Sequence, residues 1–132
     1  MIKYKKRRKY KYNLHADCDY STGIEVAVPR TSGLVQINAA GKLLIKTGYS
    51  WDGPSGPTID TKNFMRGSLV HDALYQLMRE GVLEQYNRKR ADDILRKICR
   101  ADGMSRLRAW GVYRGVRLGG AGSARPDMLV AP

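Results

Sequence analysis

An α+β fold, with an N-terminal antiparallel β-meander packed against two or three C-terminal α-helices, is what this sequence predicts. Three observations predict it. Short apolar runs separated by turn-formers fill the stretch from Tyr10 to Lys46, apolar residues recur at helical spacing in the second half, and a 132-residue chain with 42% apolar content suits one hydrophobic core.

The strand signals are Ile24-Val26-Val28, Leu34-Val35-Ile37 and Leu43-Leu44-Ile45. The turn-formers between them are Ser21-Thr22-Gly23, Ser32-Gly33 and Asn38-Ala39-Ala40-Gly41. Such strands are too few and too short to hide both faces of a sheet, so a cover is required. Phe64 to Met78 supplies the first covering helix: it contains no proline, Gly81 follows as a stop, and an N-cap lies within Thr61 to Asn63.

Arg88 to Arg100 is the second helix, its apolar stripe made by Ala91, Ile94, Leu95, Ile98 and Cys99 with basic residues opposite. Ser105 caps a third helix through about Arg117, with Ala109, Val112, Tyr113 and Val116 on one stripe. Residues 1–118 form one domain on this reading, with 1–12 a basic arm or edge strand and 119–132 a flexible tail.

Lysine and arginine outnumber aspartate and glutamate by 24 to 12, and the resulting charge of +12 predicts attraction to an anionic membrane surface, nucleic acid or an acidic protein. The densest cations are Lys3, Lys5, Lys6, Arg7, Arg8, Lys9 and Lys11, interleaved with Tyr4, Tyr10 and Tyr12, a pattern that grips phosphates while rings stack. The same pattern also describes a charged edge that resists strand-to-strand aggregation. Two cysteines are too few for a disulfide framework and read as reduced thiols of a cytosolic compartment. The first twenty residues hold no signal-type apolar stretch, and no run of about 18 apolar residues is present to span a bilayer.

Chemistry concentrates between Gly48 and Tyr75. Three glycines and two prolines in Gly48 to Pro57 make a sharply turning loop that can present backbone carbonyls to an ion, and Asp52 adds a carboxylate ligand. The helix that follows carries His71, Asp72 and Tyr75. His71 and Tyr75, four apart, share a face, while Asp72 is rotated by about 100°. Asp72 is thus placed to face a cation held by the loop, His71 to act as a general base, and Tyr75 to organise hydrogen bonds.

A general-base histidine needs a carboxylate on its other nitrogen, and the second helix offers two. Asp92 borders the apolar stripe and can turn inward, whereas Asp93 points towards the lysines at 89 and 97, which selects Asp92.

Two resemblances follow from these residues. The pattern Trp51-Asp52-Gly53, His71-Asp72-Ala73-Leu74-Tyr75, Arg90-Ala91-Asp92, Tyr113 and Val116-Arg117 resembles a family of phage and prophage proteins known as domain of unknown function 1353, over residues 10–118. That resemblance implies a phage-encoded protein made in the host cytoplasm, with incorporation in the particle among other virion proteins as one outcome.

The order of loop Trp51-Asp52-Gly53-Pro54-Ser55-Gly56, helix His71-Asp72-Ala73-Leu74-Tyr75, Gly81 and Ala91-Asp92 is similar to secreted and parvoviral phospholipases A2, over residues 48–95. It implies that His71 activates water and that Asp92 with Tyr75 orients it. Ca²⁺ would be held by Asp72 and by loop carbonyls around Gly53 and Gly56. This chain departs from that family in lacking its disulfides, in having Ser55 between Pro54 and Gly56, and in carrying an extra acid at Asp52.

The leading expectation is therefore a phage-encoded, Ca²⁺-dependent phospholipase-A2-like hydrolase acting on anionic lipid. A non-catalytic virion or assembly protein binding nucleic acid or a partner subunit through its basic face is the second reading. The third is a peptidase or phosphodiesterase using another divalent metal at the same residues.

Overall fold

The computed structural model of the chain describes residues 2–6, 12–51 and 61–125, and for residues 5, 6 and 123 it describes the backbone alone. Expectations attached to Asp52, Gly53 and Gly56, to the basic side chains at positions 5–9 and 11, and to residues 126–132 lie outside what is described.

The architecture is α+β, with antiparallel strands in the N-terminal half and helices after them. Among the described residues two three-stranded sheets form. One has the order β1 (Tyr4–Lys6), β2 (Tyr12–Leu14), β6 (Ser50–Trp51); the other places β5 (Lys42–Ile45) between β3 (Cys18–Ser21) and β4 (Val35–Ile37). The register is set by the pleat: Leu14, Val35, Ile37, Leu43 and Ile45 all turn inward, and Ile45 sits opposite both Cys18 and Val35.

The run from Ile24 to Val28, expected as a strand, joins neither ladder. Ile24 and Val26 are buried as the alternation requires. Their backbone bonds elsewhere, Val26 N donating to Ala39 O in the turn between β4 and β5 at 3.1 Å and Ile24 N to the neighbouring Thr22 Oγ1 at 3.1 Å. Pro29, which has no N–H to give a ladder, closes the run. The edge is taken instead by the four-residue β3, whose Asp19 and Ser21 face water while Cys18 and Tyr20 turn towards the core.

Four helices follow. They are α1 (Lys62–Arg79), α2 (Arg88–Ala101, entered from a 3-10 turn at Gln85–Asn87), α3 (Arg106–Gly119) and the short α4 (Ala121–Ala124). Twelve of the 18 residues of α1 are buried, so it lies at the centre with neighbours on most sides. Leu69, Leu74, Leu77 and Met78 join the inward residues of both sheets and Ile94 and Ile98 of α2 in one cluster. A second, smaller cluster of Phe64, Leu95, Cys99, Met104 and Ala109 lies under α3. Ser105 caps α3, its Oγ accepting from Arg108 N at 3.2 Å. In the segment read as a tail, Ala124 of α4 is fully buried, and Gln85 Nε2 donates to its carbonyl.

The helices α1 and α2 touch at Gly67, where a Cβ would come within 2.8 Å of Cys99 Sγ and 3.0 Å of Leu95 Cδ1. Gly67→Val is therefore expected to destabilise the protein by about 2–3 kcal/mol, overpacking outweighing the better helix propensity. Urea unfolding measures it; an unchanged midpoint would show that the crossing has slack.

Candidate active site

The interior of the helical layer contains a carboxylate with four donors around it. Asp92 is the one fully buried acidic side chain among the described residues, at 0% exposure. Its position on the wheel of α2, beside Ala91 and Leu95, turns it inward towards α1, where residues 71 and 75 lie one turn apart on the facing side. His71 Nε2 lies 2.7 Å from Asp92 Oδ1, and Tyr75 donates its hydroxyl to the same oxygen at 2.6 Å. The rings of His71 and Tyr75 stack with centroids 4.1 Å apart.

The second oxygen of Asp92 takes two arginines. Arg117 Nη1 of α3 donates at 2.9 Å and Arg88 Nη1, one turn before Asp92, at 3.5 Å. Arg88 also donates to the Tyr75 oxygen at 3.4 Å and to the carbonyls of Val116 and Arg117 at 3.1 and 3.2 Å, so it ties the end of α3 onto the site. Gly120 forms the wall behind: a Cβ there would approach Tyr75 Oη and Val116 O to 2.6 Å each, so only glycine leaves room for the tyrosine.

Electrostatics follow from this enclosure. Burial works to raise the Asp92 carboxyl, but hydrogen bonds from His71, Tyr75 and Arg117 outweigh it and hold the group below its ordinary value. Burial first, and then the bond to Asp92, push the Tyr75 hydroxyl well above the usual phenol range. An ionised carboxylate only accepts, so in the neutral imidazole Nε2 carries the hydrogen and Nδ1 the lone pair. His71 is 7% exposed, a mostly enclosed base.

These values set a pH dependence. The folded value of Asp92 lies below the unfolded one, so its stabilisation is complete above the unfolded value of about 3.9 and is lost as pH falls through the folded value. Tyr75 has the opposite sign, its contribution being whole below about pH 10 and lost above it as the unfolded phenol ionises. Thermal melts against pH are expected to show a steeper acid limb in the native chain than in a Tyr75→Phe, Arg117→Gln variant, whose Asp92 has lost two donors. Equal slopes would show that other carboxylates govern the acid limb.

The residues expected from sequence divide in two. His71, Tyr75 and Asp92 converge. Asp72 lies on the adjoining face of α1, half-buried, and Asp52, Gly53 and Gly56 belong to the segment outside the described residues. That segment departs from a fixed point: the Trp51 indole donates to Ser68 Oγ at 3.1 Å, and Ser68 is one turn before Asp72 on the same face. Among the described residues no group of three or more His, Cys, Asp or Glu side chains gathers into a metal site; of the four residues expected to hold a metal, Asp72 alone is described.

Arg88, Arg117 and Gly120 were not singled out as site residues from sequence. Arg88 had one signal, its i,i+4 spacing to Asp92. Both cysteines are free and buried. Burial raises both thiols, Cys99 to about 12, which makes them poor nucleophiles.

Neither a curated protein nor a solved structure matches the chain. A family model described as a protein of unknown function, DUF1353, matches residues 31–116, a span running from before β4 to the last turn of α3 and containing His71, Tyr75, Arg88 and Asp92. The match covers well over half of the sequence, and the chain belongs to the DUF1353 family.

Proposed function

We propose that the protein is a phage-encoded hydrolase of the phospholipase-A2 type, in which His71 draws a proton from water for attack on an ester of an anionic lipid. The observation that carries the reading is the buried Asp92 engaging His71 Nε2 at 2.7 Å and Tyr75 Oη at 2.6 Å on one oxygen. A carboxylate on one imidazole nitrogen fixes the ring and leaves the other nitrogen basic.

The chain's own residues then have distinct tasks. His71 Nδ1 accepts the proton of water as the water oxygen approaches the ester carbonyl, and later returns it to the leaving alkoxide. Asp92 stabilises the imidazolium formed in between, remaining ionised because Arg117 and Arg88 hold its other oxygen. Tyr75 and Arg88 keep the carboxylate from rotating. Ca²⁺, when bound, would supply stabilisation of the ester oxyanion, and Asp72 together with the loop donors Asp52, Gly53 and Gly56 would hold it.

The test is fatty-acid release from mixed anionic vesicles, with Ca²⁺ and with chelator. Release that requires Ca²⁺ is the expected result. Release unaffected by chelator would remove the calcium half of the proposal, and none in either condition would remove the hydrolase.

A further inference from the structure

We infer that the outward face of α3 docks on an anionic membrane surface, independently of any turnover at His71. The inner face of α3 is accounted for: Ala109 is buried and Val112 and Val116 pack against the cluster beneath. The outer face is apolar without need. Leu107 and Leu118 are 79% exposed and Trp110 48%. Positions 107, 110, 114 and 118 lie on one side of a helix. Gly111, Gly115 and Gly119 add no side chain there and a Cβ at each would meet open space, so Leu107, Trp110, Arg114 and Leu118 are what protrudes.

Charge decides the occupant. The α3 sequence RLRAWGVYRGVRLG contains four arginines and no acid; Arg117 is held by Asp92 and Arg108 donates to Thr61 Oγ1, which leaves Arg106 and Arg114 exposed beside the leucines, in a chain of net charge +12. A second copy presenting the same face would set like charges against each other. Nucleic acid would use the arginines but leave two exposed leucines in water. An anionic bilayer uses all of it: leucine and tryptophan enter the headgroup boundary while Arg106 and Arg114 stay at phosphate depth. Arg114 already lies over the Trp110 ring, 5.5 Å from its centroid, an arrangement that keeps the cation beside the indole at an interface. No described helix is long and apolar enough to cross a membrane, so the contact is with the surface. The same helix delivers Arg117 to Asp92, with Leu118 as the next residue, so docking would bring lipid to the end of α3 that closes the site.

This inference shares with the proposed function its choice of anionic lipid, and its test reads binding alone. The chain has two tryptophans, and Trp51 is buried, so Trp110 reports. Vesicles with phosphatidylglycerol are expected to shift Trp110 emission to the blue, and acyl-chain-brominated lipid to quench it, with little effect from pure phosphatidylcholine. A Leu107→Asn, Leu118→Asn variant, altered only at exposed positions, is expected to melt like the native chain and to partition at least about tenfold less.

An emission unmoved by anionic vesicles would overturn the inference. So would undiminished partition of the variant, which would place the contact on the N-terminal cations, or a self-association in sedimentation that the variant abolishes while lipid binding is absent. Binding without fatty-acid release would keep this surface and remove the hydrolase; release with α3-independent binding would do the reverse.

Discussion

His71→Ala is expected to lower fatty-acid release from anionic vesicles by about 10²–10⁴-fold, the usual worth of a positioned general base. The substitution also empties a buried position, so a loss alone would leave folding and chemistry mixed. His71→Gln separates them: its amide can still donate towards Asp92, filling the 2.7 Å contact of the native ring, but it has no basic nitrogen. Release should be as low in His71→Gln as in His71→Ala, with a melting temperature closer to the native one. Near-native release by both variants would make His71 a structural hydrogen-bonder and nothing more.

The second large effect concerns stability. Asp92→Ala is expected to cost about 3–5 kcal/mol, because it leaves several donors facing an empty buried space. The donors do not share the loss equally. Arg117 has a side chain 30% exposed and can turn to water, whereas the Tyr75 hydroxyl and His71 Nε2 are enclosed. The cost therefore sits mainly on α1, and α3 should loosen because Arg88 and Arg117 lose the charge they converge on. Urea unfolding measures the total, and hydrogen exchange at Val116 to Gly120 measures the loosening. A penalty under about 1 kcal/mol would mean that water replaces the carboxylate, and that its role is not structural. Asp92→Asn, which keeps the volume but presents an amide to four donors, should fold better than Asp92→Ala and hydrolyse no better.

Much of this arrangement is legible in the amino-acid sequence. Helix α2 was readable because Ala91, Ile94, Leu95, Ile98 and Cys99 keep the 3.6-residue period and are all buried. The same stripe distinguished Asp92, at its border, from Asp93, which pairs with Lys89 in solvent at 3.0 Å. His71 and Tyr75 followed from their spacing.

Strands were harder for a physical reason. In β3 the alternation is present, Cys18 and Tyr20 turning inward and Asp19 and Ser21 outward, but it runs for only four residues and holds no β-branched aliphatic residue to mark it as a strand. Ile24 and Val26 showed that alternation and are buried, but burial does not state where backbone hydrogen bonds go. The arginines of the site were obscured by number: among 24 basic residues Arg88 offers only its one-turn spacing to Asp92, and nothing in the local sequence of Arg117 points to a carboxylate 25 residues earlier. Gly120 read as part of a flexible run, because its need for space comes from Tyr75, far off in sequence.

Arg88 and Arg117 carry one more consequence, in the order in which the chain is made. His71, Tyr75 and Asp92 leave the ribosome first, and the arginine that completes the Asp92 cluster, with the α3 carbonyls that fix Arg88, follows. Synthesis at about 5–20 residues per second makes that interval seconds long. During it the nascent polypeptide holds Asp92 with an incomplete set of partners, so the cluster closes only once α3 has followed.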